Sequence, residues 1–325
     1  MSKLLTGVQF RPHRVALIGA LGGLLAYAGR DLPQAYVMGA TGHAFRLTLD
    51  LVISPSAPVE LNFHDVFPLW ENLGAWFKRT GARPNDENFA AVRADVLQRI
   101  RDSVDRGRPA MAYDLMGLPE YGLVVGYDED RLACLTLNNP DEPEWMAVST
   151  WPPQEHAQFT RADVIELLDV APAFDRRRTE VASLRFAVEH FWEPPSRDMW
   201  LQHGLKAYEF WISILTSPLP LHGVQPGMGH SYNLLVLQRA RRDAAVYLAE
   251  LGARYPEAPS LQTAAQRYAE VAALLEEATT RILPFPGANL AEAETKKALA
   301  DCLRRAMATE RQGVDEIERS LRALR

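Results

Sequence analysis

The chain has 325 residues, of which 47% are hydrophobic and 23% are charged. This composition is typical of soluble globular proteins, and the length is sufficient for two hydrophobic cores. The net charge of −6 and the lack of a dense Lys/Arg cluster give no reason to expect nucleic acid as a partner. Two cysteines, Cys134 and Cys302, are too few for a disulfide framework or a thiolate metal site.

The N-terminal stretch lacks the long apolar core and small-residue cleavage site of a secretory signal. The longest apolar run, Val15–Ala28, is too short and too rich in glycine to span a bilayer. We therefore expect a cytoplasmic protein that has no membrane partner.

The first part of the chain alternates helical and strand patterns. Val15–Ala28 ends at a glycine and is followed by a nearby proline, which predicts a buried helix. Apolar residues alternate with polar ones over Ala44–Ile53, which predicts a strand. Apolar residues at helical spacing predict helices at Asp65–Arg79 and Asn88–Asp105.

A run of strands follows between Arg108 and Pro140. Three short apolar runs are separated by turn residues, at Ala110–Leu115, Tyr121–Tyr127 and Leu132–Leu137. The middle run has no polar alternation, so we expect both of its faces to be covered and the strand to lie at the centre of a sheet.

The remainder of the chain is mainly helical. Thr160 and Asp163 resemble a capping box that opens a short helix at Val164–Leu168. Five further helices are predicted, at Thr179–Phe191, Asp198–Leu215, Ser231–Leu251, Leu261–Leu283 and Ala291–Leu324. The apolar repeat of the last one is compatible with a homodimer that forms through the C-terminal helices.

Two stretches resemble papain-like cysteine peptidases of the bacteriocin-processing type. The segment Glu120–Asp128 reads EYGLVVGYD and is followed by LTLNNP, similar to that group's His-Tyr-x-x-Val-x-Gly-Tyr-Asp followed by Asp-Pro. The segment Arg14–Gly29 resembles the group's nucleophile helix, which starts with a cysteine and runs into Leu-Ala-Tyr-x-Gly. The layout is also similar to proteins like the butirosin-pathway acyltransferase, in which a helical region follows the papain-like half. The segment His230–Asn233 resembles the sequence style of that helical region.

The resemblance implies an α+β fold in two parts. A papain-like domain with an antiparallel sheet would cover residues 1–155. A helical C-terminal region packed against it would cover residues 160–325.

The resemblance also shows what this chain lacks. In such enzymes the helix N-terminus carries a thiolate, which the helix dipole and a histidine at the start of the paired strand stabilise. On that pattern Ala16 takes the place of the cysteine, Glu120 that of the histidine and Asn139 that of the orienting Asp or Asn. Ala16 has no nucleophilic atom, so cysteine-peptidase chemistry is not expected.

Three other residues have alternative interpretations. His43 lies in a glycine-framed turn near Arg46. Either the two side chains bind a carboxylate or phosphate, or the glycines are present only because the loop needs unusual backbone angles. His230 at a helix start would bind an anion, or it lies in a cap made by Ser231. Glu120 would act as a general base with a raised pKa, or it is a solvent-facing turn residue.

Tyr121 and Trp145 complete the candidate ligand-binding residues, as a hydrogen-bonding group and as a lining residue of the cleft. His222 and His230 are separated by a Gly/Pro loop without a diagnostic acidic partner, so no metal is expected, and no cofactor is expected either.

Two functions remain in contention. The first is a pseudoenzyme: a non-proteolytic papain-like protein that binds a small molecule or peptide in the inherited cleft, in a bacterial biosynthetic pathway. The alternative is an enzyme of acyl or amide transfer that uses groups other than cysteine, such as Glu120, His43 or His230.

Overall fold

The computed structural model describes residues 2–59, 61–153, 160–194, 200–223 and 225–324. Within these ranges the chain forms an α+β fold. The strands are β1 (Lys3–Leu4), β2 (Thr48–Asp50), β3 (Ala75–Ala82), β4 (Ala110–Tyr113), β5 (Tyr121–Tyr127), β6 (Arg131–Leu135), β7 (Glu144–Ala147), β8 (Ala162–Val170) and β9 (Leu201–His203). The α-helices are α1 (Ala16–Tyr27), α2 (Gln34–Ala40), α3 (Phe63–Glu71), α4 (Phe89–Asp105), α5 (Arg176–Phe191), α6 (Gly204–Thr216), α7 (Pro226–Arg254), α8 (Ser260–Glu277) and α9 (Ala293–Ala323).

The chain divides into two compact units, each made of two segments. Unit 1 contains Met1–Val37 and Phe63–Asp175, and unit 2 contains Met38–Asn62 and Arg176–Arg325. This division differs from the one predicted, at 1–155 and 160–325, in two places. Strand β8 belongs to unit 1 because its backbone pairs with β3 and β4, and the 38–62 segment belongs to unit 2 because β2 pairs with β9.

Unit 1 is built on a seven-stranded antiparallel sheet. The strand order is β3-β8-β4-β5-β6-β7, and β1 pairs with β5 beside this path. Strand β5 covers the predicted run and is buried from Tyr121 to Gly126, so the prediction of a central, covered strand is confirmed. Helices α1 and α4 both pack on β5, and α4 also packs on β8 and β3.

Close packing fixes the position of α1. An added Cβ atom at Gly23 would overlap the backbone carbonyl oxygen of Gln9, and one at Gly19 would overlap that of Arg11. These glycines lower the helix propensity of the segment by about 1 kcal/mol each relative to alanine, and the close approach of the N-terminal strand-like segment explains why they are present. At the start of the helix, the backbone N–H of Val15 donates to Nδ1 of His13 at 3.0 Å.

The predicted helix at Asp65–Arg79 is wrong after Glu71. Helix α3 ends there because Gly74 adopts φ 70°, a left-handed conformation that glycine accepts without strain. Strand β3 then begins, and in it Ala75 and Phe77 are buried while Trp76 is exposed. That two-residue alternation was hidden because Trp76 and Phe77 also continued the apolar spacing of a helix.

Two further predicted elements differ from the structure. The predicted helix at Val164–Leu168 is wrong, because this segment forms β8 between β3 and β4, and β8 is buried on both faces from residue 162 to residue 167. The predicted strand at Ala44–Ile53 is reduced to β2, because His43–Phe45 forms a turn of 3-10 helix.

Unit 2 contains the long helices α7, α8 and α9, which confirms the predicted helical C-terminal region. The five helices predicted from Thr179 onward are all found, although their ends shift by several residues. The predicted start of one of them, Asp198, lies outside the described residues. Across the described ranges, every helix is too short or too polar to cross a membrane.

A fully buried ion pair organises the centre of unit 2. The Arg241 guanidinium on α7 pairs with the Glu310 carboxylate on α9, with Nη2 2.7 Å from Oε1 and Nε 2.9 Å from Oε2. Arg241 Nη1 also donates to the backbone carbonyl oxygens of Ala44 and Arg46, both at 2.9 Å. The hydroxyl of Tyr208 on α6 donates to Glu310 at 2.8 Å. Three helices and the 44–46 loop are thereby connected.

We expect Glu310→Ala to lower the free energy of unfolding by about 3–5 kcal/mol, because it leaves the Arg241 charge buried without its carboxylate. Urea denaturation of the full chain measures this change. The control is Glu318→Ala, which removes an exposed partner of Arg322 on the same helix and should cost about 0.5 kcal/mol or less. Equal losses for the two variants would contradict the role of the buried pair.

Candidate functional site

The N-terminus of α1, the start of β5 and the end of β6 meet at one cavity in unit 1. Its volume is about 60 Å³. The lining residues are mainly apolar, and they include one carboxylate residue and two hydroxyl-bearing residues. The described residues that line it are Ala16, Leu115, Leu118, Glu120, Tyr121, Gly122, Thr136 and Leu137. The structure therefore brings together Ala16, Glu120 and Tyr121, which the sequence had proposed for one site.

Asn139 lies near this cavity but does not line it. Its Nδ2 donates to the carbonyl oxygen of Cys134 at 2.7 Å, and its Oδ1 accepts a hydrogen bond from the Thr136 hydroxyl. The side chain thus closes the turn after β6. Asn139 acts on the cavity indirectly, because it orients Thr136.

Glu120 occupies the position directly before β5 and is half-buried. A tight loop holds it there. The backbone N–H of Asp114 donates to the carbonyl oxygen of Glu120 at 2.9 Å, and the backbone N–H of Glu120 donates to the carbonyl oxygen of Leu118 at 2.7 Å. In the same loop, Asp114 and Met116 adopt φ of 62° and 57°. Left-handed conformations are unusual for a residue as bulky as Met116, and such conformations cluster at functional sites.

Tyr121 lines the cavity, and only 2% of its surface is exposed. The ring of Tyr113 packs edge-on against it at 5.2 Å, and Phe63 contacts it in the same way at 6.5 Å. Burial and the Asp163 carboxylate raise the pKa of Tyr121 far above its usual value. The phenol therefore stays protonated at neutral pH and serves as a hydrogen-bonding and packing group, not as an acid or base.

A cluster of charges lies behind Tyr121. Arg79 donates through Nε to the buried Asp163 carboxylate at 2.8 Å. The Arg161 guanidinium stacks over Tyr113 at 4.0 Å from the ring centroid and lies 6.0 Å from that of Tyr121. This cluster fixes the inner wall of the cavity, since it holds both tyrosine rings in place.

His43 and Arg46 belong to unit 2. His43 is buried, and its Nδ1 lies 3.1 Å from the hydroxyl of Thr41. The Arg46 guanidinium lies over the ring of Phe186 at 4.5 Å. Both side chains therefore have packing roles in unit 2, whereas the cavity at Ala16 is lined by residues of unit 1.

His230 is buried within the first turns of α7. The helix begins at Pro226, so Ser231 does not cap it, and the Ser231 hydroxyl donates instead to the carbonyl oxygen of Met228. The indole Nε1 of Trp211 donates to His230 Nδ1 at 2.9 Å. Burial lowers the pKa of His230 to about 4, so the imidazole is neutral at pH 7 and carries no charge that would attract an anion.

Trp145 was predicted to line the cleft. It is on the edge strand β7, is 37% exposed, and is stacked under the Arg131 guanidinium at 5.0 Å. It is not among the described residues that line the cavity. The neighbouring Trp151 is a core residue, and its indole Nε1 donates to the carbonyl oxygen of Tyr113 at 2.9 Å.

Three side chains of unit 2 meet as metal ligands would: His190, Glu193 and His203. Sequence reasoning missed them because Glu193 and His203 are ten residues apart in the chain. Reasoning from sequence also missed Leu118, Thr136 and Leu137 as lining residues of the cavity. These lining residues could have been predicted from their positions in the turns next to Glu120 and Asn139.

The predicted site residues separate into two groups. Ala16, Glu120 and Tyr121 line one cavity of unit 1, and Asn139 accepts a hydrogen bond from the lining residue Thr136. His43, Arg46 and His230 belong to unit 2. No protein-family model matches this sequence, and no curated protein is significantly similar to it.

Two buried histidines predict a pH dependence of stability. Burial lowers the pKa of His190 and of His230 from 6.5 to about 4. Between these pH values the unfolded chain binds more protons than the folded chain, so the free energy of unfolding falls as the pH is lowered, by up to about 1.4 kcal/mol per pH unit for each histidine.

His230→Gln keeps a hydrogen-bond acceptor for Trp211 Nε1 and removes one of the two titratable imidazoles. We therefore expect urea denaturation from pH 6.5 to pH 4.5 to show a shallower loss of stability than for the unmodified chain. The control Trp211→Phe removes the hydrogen bond but retains the buried imidazole, and it should keep the original pH slope. If His230→Gln also keeps that slope, the prediction is wrong.

Proposed function

We propose that unit 1 is a papain-like domain without the peptidase thiol, and that it binds a small molecule or peptide in the cavity beside Ala16. One observation carries this proposal. The first residue of α1, the residue before β5 and the turn after β6 surround a single cavity, as the resemblance to papain-like peptidases implies. An alanine occupies the helix position at which that pattern needs a nucleophile.

The lining of the cavity defines the class of ligand. A volume of about 60 Å³ accommodates only a few heavy atoms, since an apolar cavity of about 150 Å³ holds one benzene molecule. Leu115, Leu118 and Leu137 suit a short aliphatic group. The Glu120 carboxylate suits an amine or amide N–H beside that group. The ligand is thus a short acyl or aliphatic side chain carried next to a nitrogen, as in an acylated amine or a peptide.

The cysteines of this chain do not replace the missing nucleophile. Cys134 is buried within β6, and burial raises the pKa of its thiol to about 12. Burial also raises the pKa of Cys302, which lies in α9 of unit 2, to about 11. Both thiols remain protonated at neutral pH, and a protonated thiol is a poor nucleophile.

Transfer of an acyl or amide group is the alternative function. The half-buried Glu120 carboxylate lines the cavity together with the Thr136 hydroxyl, so a general base would stand beside a bound amine. Mass spectrometry of the full chain with short acyl thioesters and amine acceptors separates the two functions. Binding without turnover supports the proposal, whereas turnover that Glu120→Gln abolishes establishes the alternative.

Ala16→Leu should abolish ligand binding, because the three added carbon atoms fill the cavity. Short acyl amines and dipeptides with aliphatic side chains are screened by ligand-observed NMR against the full chain. Ala90→Leu is the matched control, since Ala90 is exposed on α4, and it should bind the same compounds as the unmodified chain. Glu120→Gln should weaken the binding of amine-bearing compounds by at least about tenfold, because a charge-assisted hydrogen bond is lost.

The proposal fails if no compound binds, or if Ala16→Leu and Ala90→Leu bind the compounds equally. Circular dichroism of both variants establishes that each is folded before binding is compared.

A thiol placed at residue 16 tests the geometry of the site. We expect the double variant Ala16→Cys with Glu120→His to react with iodoacetamide at pH 6 at least about tenfold faster than Ala16→Cys alone. The imidazolium at residue 120 stabilises a thiolate at residue 16, whereas the Glu120 carboxylate opposes it, and one pKa unit changes the thiolate fraction tenfold. The unmodified chain is the control, because its two buried thiols should remain unlabelled. Equal rates for the two variants would show that residue 120 does not face residue 16.

A further inference from the structure

The end of α5 and strand β9 bring two histidines and a glutamate together in unit 2. His190, Glu193 and His203 each offer one ligand atom, and these atoms all lie within 4.8 Å of one another. We propose that these three residues bind a divalent first-row transition-metal ion of the Zn²⁺ class. The proposal is independent of the cavity in unit 1.

The surroundings of His190 suit a metal ligand in both of its states. Its Nδ1 lies 2.9 Å from Oε2 of Glu193, and its Nε2 lies 3.1 Å from the backbone nitrogen of Leu47 and 3.2 Å from the carbonyl oxygen of Leu47. Without an ion, Nδ1–H donates to Glu193 and Nε2 accepts from the Leu47 N–H. With an ion on Nδ1, the proton moves to Nε2, which then donates to the Leu47 carbonyl oxygen while the Leu47 N–H gives up its acceptor. Histidine ligands in proteins usually make this second hydrogen bond.

The backbone holds His203 close to the end of α5. The pairing of β2 with β9 places His203 opposite Thr48, and the Thr48 hydroxyl lies 3.2 Å from Nδ1 of His203. Gly204 follows with φ 48°, and an added Cβ atom there would overlap the carbonyl oxygens of His190 and Phe191. A glycine at this position therefore permits the close approach, and the two imidazole rings lie 5.6 Å apart.

One positive charge of unit 2 lies near the site. The Arg46 guanidinium stacks on Phe186 at 4.5 Å, and the Phe186 ring in turn stacks on His190 at 5.3 Å. Arg46 therefore repels a bound cation, and the Glu193 carboxylate is the ligand whose negative charge offsets that repulsion.

The ligand set also selects the kind of ion. Two imidazole nitrogens and one carboxylate suit Zn²⁺, Co²⁺ or Ni²⁺, whereas Mg²⁺ and Ca²⁺ prefer oxygen ligands. Bonds of about 2.0–2.2 Å to a tetrahedral ion place neighbouring ligand atoms about 3.4 Å apart. A separation at the 4.8 Å limit would shorten by about 1.4 Å on binding, and the Glu193 side chain, which is 44% exposed, has room to rotate. Three protein ligands leave the fourth position open.

Cobalt titration of the chelator-treated full chain tests the proposal, because Co²⁺ bound by nitrogen and oxygen ligands absorbs visible light. We expect saturation at one equivalent and displacement of the cobalt by Zn²⁺. Glu193→Gln and His203→Ala should each weaken cobalt binding by at least about tenfold. His222→Ala, which changes an exposed histidine of the same unit, is the control and should bind as the unmodified chain does.

The proposal is overturned if the unmodified chain does not saturate near one equivalent. It is also overturned if Glu193→Gln and His203→Ala both retain full affinity, or if His222→Ala loses it. Glu193 is partly exposed and its replacement by Gln preserves shape, so this variant remains informative even if His203→Ala fails to fold.

Discussion

Strand β5 is the constraint on which the candidate binding site depends. It pairs with β4 on one side and β6 on the other, with β1 adding to one end, and α1 and α4 pack against it. A strand with both edges paired and both faces covered cannot shift its register by one residue, because every buried side chain would then move to the opposite face. Glu120 and Tyr121 at its start are therefore held in fixed positions relative to the first turn of α1.

The buried Arg241–Glu310 pair has a corresponding role in unit 2. Arg241 binds the carbonyl oxygens of Ala44 and Arg46, and the next two residues in the chain are Leu47 and Thr48, which contact His190 and His203. A buried charge is costly unless it is fully paired, so this loop has little freedom while the pair is intact. The pair thus supports the proposed metal ligands although it contacts none of them.

The sequence predicted much of this fold because several segments carry a single period. Helix α4 was located to within a residue because its apolar residues recur at helical spacing, and β5 because its short apolar run ends at clear turn residues. The predictions failed where two periods coincided, as at Trp76 and Phe77, or where a largely buried strand starts with residues that resemble a capping box, as β8 does. Such a strand contains no polar alternation that would distinguish it from a short buried helix.

The site was predicted less completely, for a related reason. Ala16 and Glu120 were placed together by resemblance to a known sequence pattern. Asn139 is engaged within its own turn, which depends on the turn geometry and cannot be read from residue types. His190, Glu193 and His203 come together only because β2 pairs with β9, and a three-residue ladder leaves almost no signal in the sequence. Pairings between short, distant strands are determined by the packing of the complete unit.

The charges at the candidate cavity indicate which ligands it would favour. In the papain-like pattern, the helix N-terminus and a histidine both stabilise a negative charge on the thiolate. In this chain Ala16 carries no charge, and on the proposed pattern the Glu120 carboxylate takes the place of that histidine. The negative charge that the helix N-terminus favours is thus supplied by the protein itself. A ligand that brings an amine or amide N–H to Glu120 gains a charge-assisted hydrogen bond, whereas a ligand that brings a carboxylate meets repulsion. Under the proposed function, an alanine at position 16 and a glutamate at position 120 therefore favour nitrogen-bearing groups over anionic ones in this cavity.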